Sequence, residues 1–328
     1  MTETFTSTPS RYDVVVVGGG AAGLSAALVL ARAGRRTVVV DAGAPRNASA
    51  GRMNGFLSRD GLPPSELLAT GRSEIASYGG ELVAGRVTAV RRAGAGGFAV
   101  ALAGGDLLLA RRVLVTTGLR DVLPDLPGVR ERWGRDLLHC PYCHGHEVRD
   151  RRLGVLGGAG AVAHALIVRQ WSGDVTFFEG GVPLGDSESE MLRARGIEVV
   201  EGAVARLAVE DDRLAGVELA DGRRVERDAV FVRPAFVPHG DLLVGLGCAT
   251  DDAGWVVADP TGRTSQPGVW VAGNVVDPRA QVITAAGEGS AAAIAINNDL
   301  VDEDVHLAVH ALRLGSVDPG GSLTPEGA

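Results

Sequence analysis

The sequence predicts an α/β protein of two Rossmann-like three-layer domains, with the second domain inserted in the first. Three observations support this fold class. The 328 residues exceed what one hydrophobic core usually organises. Two short apolar segments, at 13–17 and 153–156, each lead into a glycine-rich turn. A further apolar segment at 268–274 also reaches a glycine, late enough in the chain to close the first domain.

The first of these segments begins a predicted βαβ unit. A strand at 13–17, a helix at 21–33 and a strand at 37–40 follow one another, and glycines 18, 20 and 23 give the spacing G-x-G-x-x-G. In such a turn the first glycine reverses the chain, the second lets a pyrophosphate approach, and the third lets helix and strand pack closely. The residues expected to hold a dinucleotide are Gly18, Gly20, Ala22, Gly23 and Asp41, the last through a ribose hydroxyl.

The remaining elements define the predicted domains. Residues 46–67 read as a loop running toward the cofactor, and strands follow at 87–100 and 107–115. The inserted unit has strands at 153–156, 174–178 and 229–232 and a meander at 199–219, and a long helix follows at 280–300. The predicted division is a flexible leader at 1–11, a first domain at 12–123 and 239–312, an inserted domain at 124–238, and a flexible tail at 313–328.

Composition limits the possible partners. The net charge is −8 and the pI is near 5.4, which disfavours nucleic acid and anionic membranes. The first ten residues lack the apolar core of a secretory signal, and no apolar run is long enough to span a bilayer. We therefore expect a cytoplasmic protein. Three cysteines are too few for a disulfide scaffold, and a C-x-x-C pair in a reducing compartment indicates redox or metal chemistry.

That pair lies in the segment His-Cys-Pro-Tyr-Cys-His-Gly-His-Glu. Two thiols three residues apart at a helix start can close a disulfide, and the helix dipole with a nearby histidine favours the thiolate. A free thiol has a pKa of about 8.5, so a decrease of about two makes the thiolate the major form at neutral pH. We predict Cys140 and Cys143 as the redox pair, His144 as the base for an incoming thiol, and His139 and His146 as auxiliary groups.

Zinc is the alternative reading of the same segment. Cys140, Cys143, His144 and His146 are all possible ligands. Tetrahedral zinc is usually held by two separated ligand pairs, so four ligands within seven residues would strain the chain. We therefore predict no metal site. Cys248, alone in Gly-Leu-Gly-Cys, is predicted to be a small buried apolar residue.

The order of these motifs resembles the low-molecular-weight thioredoxin reductases, from about Tyr12 to Val301. The resemblance implies FAD as cofactor, a homodimer, and a redox pair whose second cysteine, Cys143, lies nearest the flavin while Cys140 exchanges with substrate. It also implies further residues along the FAD. These are Thr117, Gly118, Ala272, Gly273, Asn274, Gln281 and Val282, with Asn274 replacing the family's usual Asp and its contact therefore altered.

Two departures from the reductases concern the inserted domain. Its turn, Gly-Gly-Ala-Gly-Ala-Val-Ala at 157–163, does not reproduce G-x-G-x-x-G/A in register. After the next strand the reductases carry a His-Arg-Arg cluster, whereas this chain has Glu179. A carboxylate there repels the 2′-phosphate of NADPH, and no guanidinium offsets the repulsion.

The motif Cys-Pro-Tyr-Cys-His-Gly, with His144 where reductases have Asp, is similar to that of the dithiol oxidases of natural-product pathways. Those relatives close a disulfide in gliotoxin- or holomycin-like compounds and pass the electrons through FAD to oxygen, giving hydrogen peroxide. The resemblance thus implies a small-molecule dithiol as substrate and oxygen as acceptor. One alternative is an NAD(P)H-dependent reductase of thioredoxin or a similar disulfide, with NADH favoured by Glu179. A more distant one is a non-catalytic flavin- or zinc-binding protein.

Overall fold

The computed structural model describes residues 10–315. The first sheet and the helices near it comprise β1 Ser10–Val17, α1 Ala21–Arg32, β2 Thr37–Asp41, α2 Pro64–Ser77, β3 Glu81–Ala84, β4 Val87–Arg92, β5 Phe98–Leu102, β6 Leu107–Val115, α7 Asp241–Gly245, β17 Val269–Val271 and α8 Val282–Gly315. The intervening elements are β7 Leu119–Val122, α3 Val129–Arg132, β8 Leu137–Leu138, α4 Pro141–His144, β9 Leu153–Leu156, α5 Ala161–Val168, β10 Val175–Phe178, α6 Asp186–Ala194, β11 Glu198–Val200, β12 Val204–Glu210, β13 Arg213–Leu219, β14 Arg224–Val225, β15 Ala229–Phe231 and β16 Ala235–Pro238.

The first sheet has seven strands. Strands β3, β2, β1 and β6 run parallel in that order. On the edge of β6 away from β1, β5 pairs antiparallel with the first half of β6 and β17 pairs parallel with its last residues, and β4 pairs antiparallel with β5. The four valines of β1 at 14–17 are buried, as a central strand covered on both faces requires. Helices α1 and α8 cover one face and pack closely, because Gly289 leaves no room for a Cβ against the carbonyl of Ala22.

The second sheet has five parallel strands in the order β11, β10, β9, β15, β8. Helix α5 and Leu192 of α6 pack on one face, and the antiparallel strands β12 and β13 supply apolar side chains to the other. The chain passes from the first sheet to the second through β7 and returns through β16, and these two strands pair antiparallel. These parallel sheets with covered faces confirm the predicted fold class; the domain limits stay a prediction.

Several details differ from the sequence expectations. The strand expected at 87–100 is two antiparallel strands, β4 and β5, because a glycine-containing turn reverses the chain between them. Helix α2 begins at Pro64, inside the segment expected to be a loop to 67, because proline fits the first turn of a helix. Strand β11 pairs with β10 in the parallel sheet and does not belong to the meander. The leader and tail lie largely outside the described residues, but residues 10 and 11 belong to β1 and residues 313–315 to α8.

Helix α8 also runs well past its expected end at Leu300. Its distal half is held by ion pairs that cross to the first sheet. Arg111 of β6 contacts Glu303 and Asp304, and Arg35 contacts Asp304 as well. These long-range charges give the helix a partner that local sequence does not reveal. Among residues 10–315 no helix combines the length and the apolar character that crossing a membrane requires.

Candidate active site

The first glycine turn leaves an open cradle at the start of α1. Gly18 has φ +107°, and a Cβ there would lie 2.5 Å from the carbonyl oxygen of Thr116. A Cβ at Gly23 would overlap the carbonyl oxygen of Gly18. By contrast, a Cβ at Gly20, the N-cap of α1, would meet no atom within 4 Å. The first and third glycines are thus required by packing, and the second keeps clear the space that a pyrophosphate would enter.

Asp41 closes one side of this cradle. Its Oδ1 accepts a hydrogen bond of 3.0 Å from the backbone N–H of Gly19, and its Oδ2 lies 3.8 Å from Nη2 of Arg72. A carboxylate at the end of the second strand is where the ribose hydroxyls of a dinucleotide are recognised. The contact of Asp41 with a ribose hydroxyl stays a prediction.

The late segment meets the first turn from the other side. An ideal Cβ on Gly273 would lie 3.0 Å from the Cβ of Ala22, and the Gly273 N–H donates to Oε2 of Glu288 at 2.7 Å. The side chain of Asn274 is already bonded to protein at both ends. Its Oδ1 accepts from Arg46 at 3.2 Å, and its Nδ2 donates to the carbonyls of residues 277 and 280 at 2.9 Å each.

Two predicted cofactor residues follow strand β6. Gly118 has φ +69°, and its carbonyl accepts from the N–H of His239 at 2.9 Å. The hydroxyl of Thr117 donates to the carbonyl of His239 at 2.7 Å. Both contacts fix the point where the chain leaves the first sheet and later returns to it, next to the cradle.

The redox pair is present as a disulfide. Cys140 and Cys143 are bonded, with their Cα atoms 5.2 Å apart, and both are half-buried. Cys140 is the N-cap of α4, and its Sγ accepts from the N–H of Cys143 at 3.1 Å. Helix α4 has four residues, so the helix-dipole contribution to a thiolate is that of a single turn and smaller than expected. The alternative zinc site would need both sulfurs as thiolate ligands, and here they are bonded to each other.

Cys143 is held against the first sheet's loops. The Nδ2 of Asn54 donates to the carbonyl of Cys143 at 2.9 Å, and the Nε2 of Gln281 lies 4.0 Å from its Sγ. Gln281 was predicted as a cofactor residue, and the structure places its amide at the disulfide; Val282 begins α8 beside it. Asn54 was missed, because a lone Asn inside a loop carries no signal of its own.

The three predicted histidines differ in environment. His144 is half-buried, and burial lowers its pKa from the ordinary value while Glu147 opposes the decrease. Its imidazole is therefore neutral at neutral pH and can accept a proton. Burial also lowers the pKa of His139, whose Nδ1 lies 3.1 Å from the carbonyl of Val232. His146 is exposed, and its Nε2 contacts Arg149 at 3.0 Å.

The inserted domain's glycine turn is built differently from the first. Helix α5 starts one residue later relative to its strand, and its N-cap, Gly160, has the left-handed φ of +72°. The guanidinium of Arg233 lies over this glycine, with Nη1 2.6 Å from an ideal Cβ. Glu179, after β10, accepts a hydrogen bond of 3.0 Å from the N–H of Leu184.

Cys248 stands apart from this chemistry. It is buried and free, its Sγ lies 3.5 Å from Oγ1 of Thr264, and burial raises its pKa. The prediction that it is a packing residue is confirmed.

A glycine turn suited to a dinucleotide, together with a disulfide held near Asn54 and Gln281 of the same part of the fold, is the arrangement of a flavin-linked disulfide oxidoreductase. Residues 12–289 match the family described as pyridine nucleotide-disulphide oxidoreductase. The chain belongs to this family, whose thioredoxin reductase-like members are FAD-binding enzymes. The open space at Gly20 fits that cofactor.

Several known proteins are similar over nearly the whole chain. "Thioredoxin reductase sirT" of Leptosphaeria maculans is 30% identical, covering 90% of this chain and 97% of the relative. The crystal structure of HlmI superposes with a TM-score of 0.92 and 58% identity, covering 95% of this chain and 99% of that one. A thioredoxin reductase structure from Bacillus anthracis gives 0.85 and 33%, covering 89% and 99%. The identity to HlmI is thus well above that to this reductase.

Proposed function

We propose that the protein is an FAD-dependent dithiol oxidase that closes a disulfide in a small-molecule natural product. The overall reaction converts one dithiol and one oxygen molecule to one cyclic disulfide and one hydrogen peroxide. The resemblance of the Cys-Pro-Tyr-Cys-His-Gly segment to natural-product dithiol oxidases supports this assignment. The acceptor, the peroxide and the substrate class are all part of the proposal.

The sulfur chemistry takes place at the pair already described. A substrate thiol gives its proton to His144, and the thiolate attacks Sγ of Cys140, which releases Cys143 as a thiolate. The second substrate thiolate then attacks the substrate sulfur of the mixed disulfide, which releases Cys140 and the cyclic product. The substrate is oxidised by two electrons, and the enzyme disulfide is reduced by two. Bound FAD supplies the two-electron transfer from this pair to oxygen.

The residues around the pair suit these steps. Neutral His144 can accept the thiol proton, because burial disfavours its charged form. Asn54 and Gln281 hold Cys143 toward the first sheet, where the cradle lies. Cys140 accepts a hydrogen bond from the Cys143 N–H, which also stabilises a thiolate at Cys140 once the disulfide opens.

The observation that carries the oxidase assignment is the altered turn of the inserted domain. The turn has one extra residue before its helix, its N-cap Gly160 is left-handed, and the guanidinium of Arg233 occupies the space beside that glycine, whereas the space beside Gly20 is open. A second pyrophosphate therefore lacks the cradle found at Gly18–Gly23, and electrons enter from a thiol instead of a pyridine nucleotide.

A reductase driven by NADH is the second candidate. Glu179 favours it, because a carboxylate after the second strand can accept from the free 2′-hydroxyl of NADH. The two candidates differ in which donor reduces the enzyme. In the oxidase, oxygen uptake needs a dithiol and no nucleotide.

Aerobic turnover tests the proposal. The FAD-loaded protein is mixed with reduced holomycin, reduced gliotoxin or dithiothreitol, and oxygen uptake, peroxide and product disulfide are measured together. We expect equal amounts of the three without any nucleotide, and no uptake with Cys140→Ser. Absence of uptake with every dithiol, or a strict need for NADH or NADPH, would contradict the assignment.

We further propose a cytoplasmic homodimer, as the family likeness implies. The distal half of α8 exposes apolar side chains that a second copy would cover, among them Val305, Leu307 and Leu312. Sedimentation at micromolar concentration is expected to give twice the chain mass of 33.8 kDa. A monomer under these conditions would exclude the homodimer.

A further inference from the structure

His164 is a buried histidine that the chemistry above does not use. It lies on α5 and is 6% exposed. Its ring centroid is 5.7 Å from that of His139 and 5.9 Å from that of Phe231. Its Nε2 lies 2.8 Å from the backbone carbonyl oxygen of His139, the residue before Cys140. His164 is thus bonded to the peptide that leads into the disulfide.

The direction of the hydrogen bond between the His164 ring and the His139 carbonyl follows from the chemistry of the two groups. A carbonyl oxygen can only accept a hydrogen bond, so Nε2 carries the proton. Burial, reinforced by the neighbouring His139, lowers the pKa of His164 to about 4. The ring is therefore neutral at physiological pH, and its Nδ1 is a bare acceptor. That nitrogen has no hydrogen-bond partner within residues 10–315.

A histidine is a costly choice at this position. A buried acceptor without a partner destabilises the folded state, and an apolar side chain of similar size would avoid this cost. The apolar replacement would, however, leave the His139 carbonyl without its donor. What the imidazole contributes here is therefore one N–H, directed at the peptide next to Cys140.

The two residues that precede Cys140, Leu138 and His139, have further hydrogen bonds on another side. The ring of His139 donates through Nδ1 to the carbonyl of Val232 at 3.1 Å, and the N–H of Val232 donates to the carbonyl of Leu138 at 2.8 Å. Residues next to Cys140 are therefore tied both to the chain after β15 and to α5. Cys143 is held separately, by Asn54 from the first sheet's loop. The two sulfurs thus have independent supports.

We infer that His164 is the positioning residue for Cys140. By holding the His139 carbonyl, it keeps Sγ of Cys140 where a substrate thiolate can reach it in line with the disulfide. This role deepens the proposed function and rests on it in naming a dithiol as the attacking partner. It predicts that loss of the N–H slows exchange at Cys140 and leaves the reaction of the flavin with oxygen unchanged.

Three substitutions separate the hydrogen bond from packing. His164→Gln places an amide N–H as many bonds from the backbone as Nε2, whereas His164→Met has similar length and no donor, and His164→Phe is a second donorless variant. Holoprotein is reduced anaerobically with dithiothreitol, and flavin bleaching is followed by stopped flow. We expect about ten-fold slower bleaching in the Met and Phe variants and near-normal bleaching in the Gln variant. Reoxidation by oxygen after dithionite reduction should not change.

A second measurement does not depend on the flavin. Iodoacetamide is added to the reduced holoprotein, and labelling of Cys140 relative to Cys143 is measured by mass spectrometry. The labelling ratio should shift in the donorless variants and return toward wild type with Gln. Wild-type rates in both donorless variants, or a Gln variant as slow as Met, would overturn the inference. Prompt reduction of the wild type by NADPH would contradict the oxidase proposal. It would leave the inference about His164 standing, because a reductase also exchanges thiols at Cys140.

Discussion

The two glycine-rich turns occupy equivalent places, since one joins β1 to α1 and the other joins β9 to α5, and they differ at the glycine that caps each helix. At the first turn, the N-cap Gly20 is extended, and the space beside it is empty of protein. At the second, the N-cap Gly160 is left-handed and lies under the guanidinium of Arg233. The strands before the two turns, β1 and β9, are largely buried and pair in parallel with the strands on both sides. The strands that lead into the two turns are thus alike, and the turns themselves differ.

Under the proposed function, the two domains share an architecture and carry different parts of the chemistry. The second sheet carries the C-x-x-C segment between β8 and β9, and the histidine that holds this segment is on α5. The apolar core needs the strands and helices, but a few residues at one turn decide whether a dinucleotide fits. We therefore propose that the nucleotide binds to the first domain and that the sulfur chemistry takes place on the second.

The strongest test of this division is to remove the sulfurs. Cys140→Ser and Cys143→Ser are each expected to lower dithiol-driven oxygen uptake by about a thousand-fold or more, since the disulfide that accepts the electrons can no longer form. FAD content, measured by absorbance, should stay at the wild-type level. Cys248→Ser makes the same chemical change away from the site and should leave uptake unchanged. Full activity in either of the first two variants would refute the assignment.

His144 gives the next largest effect. His144→Gln should slow anaerobic reduction by a dithiol about a hundred-fold, because a positioned base is lost. The wild-type rate should fall as the pH decreases through the pKa of His144. Since burial places this pKa below its ordinary value of 6.5, the acid limb lies below pH 6.5 and is absent in the Gln variant. The control is His146→Gln, at an exposed position paired with Arg149. An unchanged acid limb in His144→Gln would assign the base to another group.

The two N-cap glycines can be compared directly. Gly20→Ala should fold, because its Cβ meets no protein atom within 4 Å, yet weaken FAD binding about ten-fold or more by filling the pyrophosphate space. Gly160→Ala should leave FAD affinity and dithiol turnover unchanged, with a loss of stability because φ is positive and the guanidinium of Arg233 must move away from the new Cβ. Both affinities can be measured by flavin fluorescence after refilling the apoprotein. Equal FAD loss in both variants would remove the distinction between the turns.

Asn54 gives the smallest expected effect. Asn54→Ala removes the donor to the Cys143 carbonyl and should slow electron transfer from the reduced pair to the flavin about five-fold. The rate is read from single-turnover bleaching, with Asn298→Ala on an exposed part of α8 as the control. A normal rate in Asn54→Ala would mean that Gln281 alone positions Cys143.

Local sequence located most of the strands and the chemically active segment. Strands 107–115 and 153–156 have their predicted limits, because apolar runs bounded by glycine or charge define buried strands. The limits of α8 were wrong at its distal end, since ion pairs with Arg35 and Arg111 sustain it. Helix α2 was hidden by the turn-forming prolines at its start.

The candidate site was predictable in its reactive groups and not in its supports. The cysteine pair and the first turn have spacings that carry a chemical meaning. Asn54, Arg233 and His164 act through contacts to residues 89, 73 and 25 positions away, and no spacing announces them. Such contacts form only when distant parts of the chain pack together, so they are seen in the folded structure and not in the sequence.

The most direct test of the central claim is the source of the electrons. The yellow FAD-loaded protein is mixed anaerobically, in parallel, with a dithiol, with NADH and with NADPH, and flavin absorbance is followed by stopped flow. We expect prompt bleaching by the dithiol and none on the same time scale by either nucleotide. Prompt bleaching by micromolar NADPH, or no bleaching by any dithiol, would contradict the account.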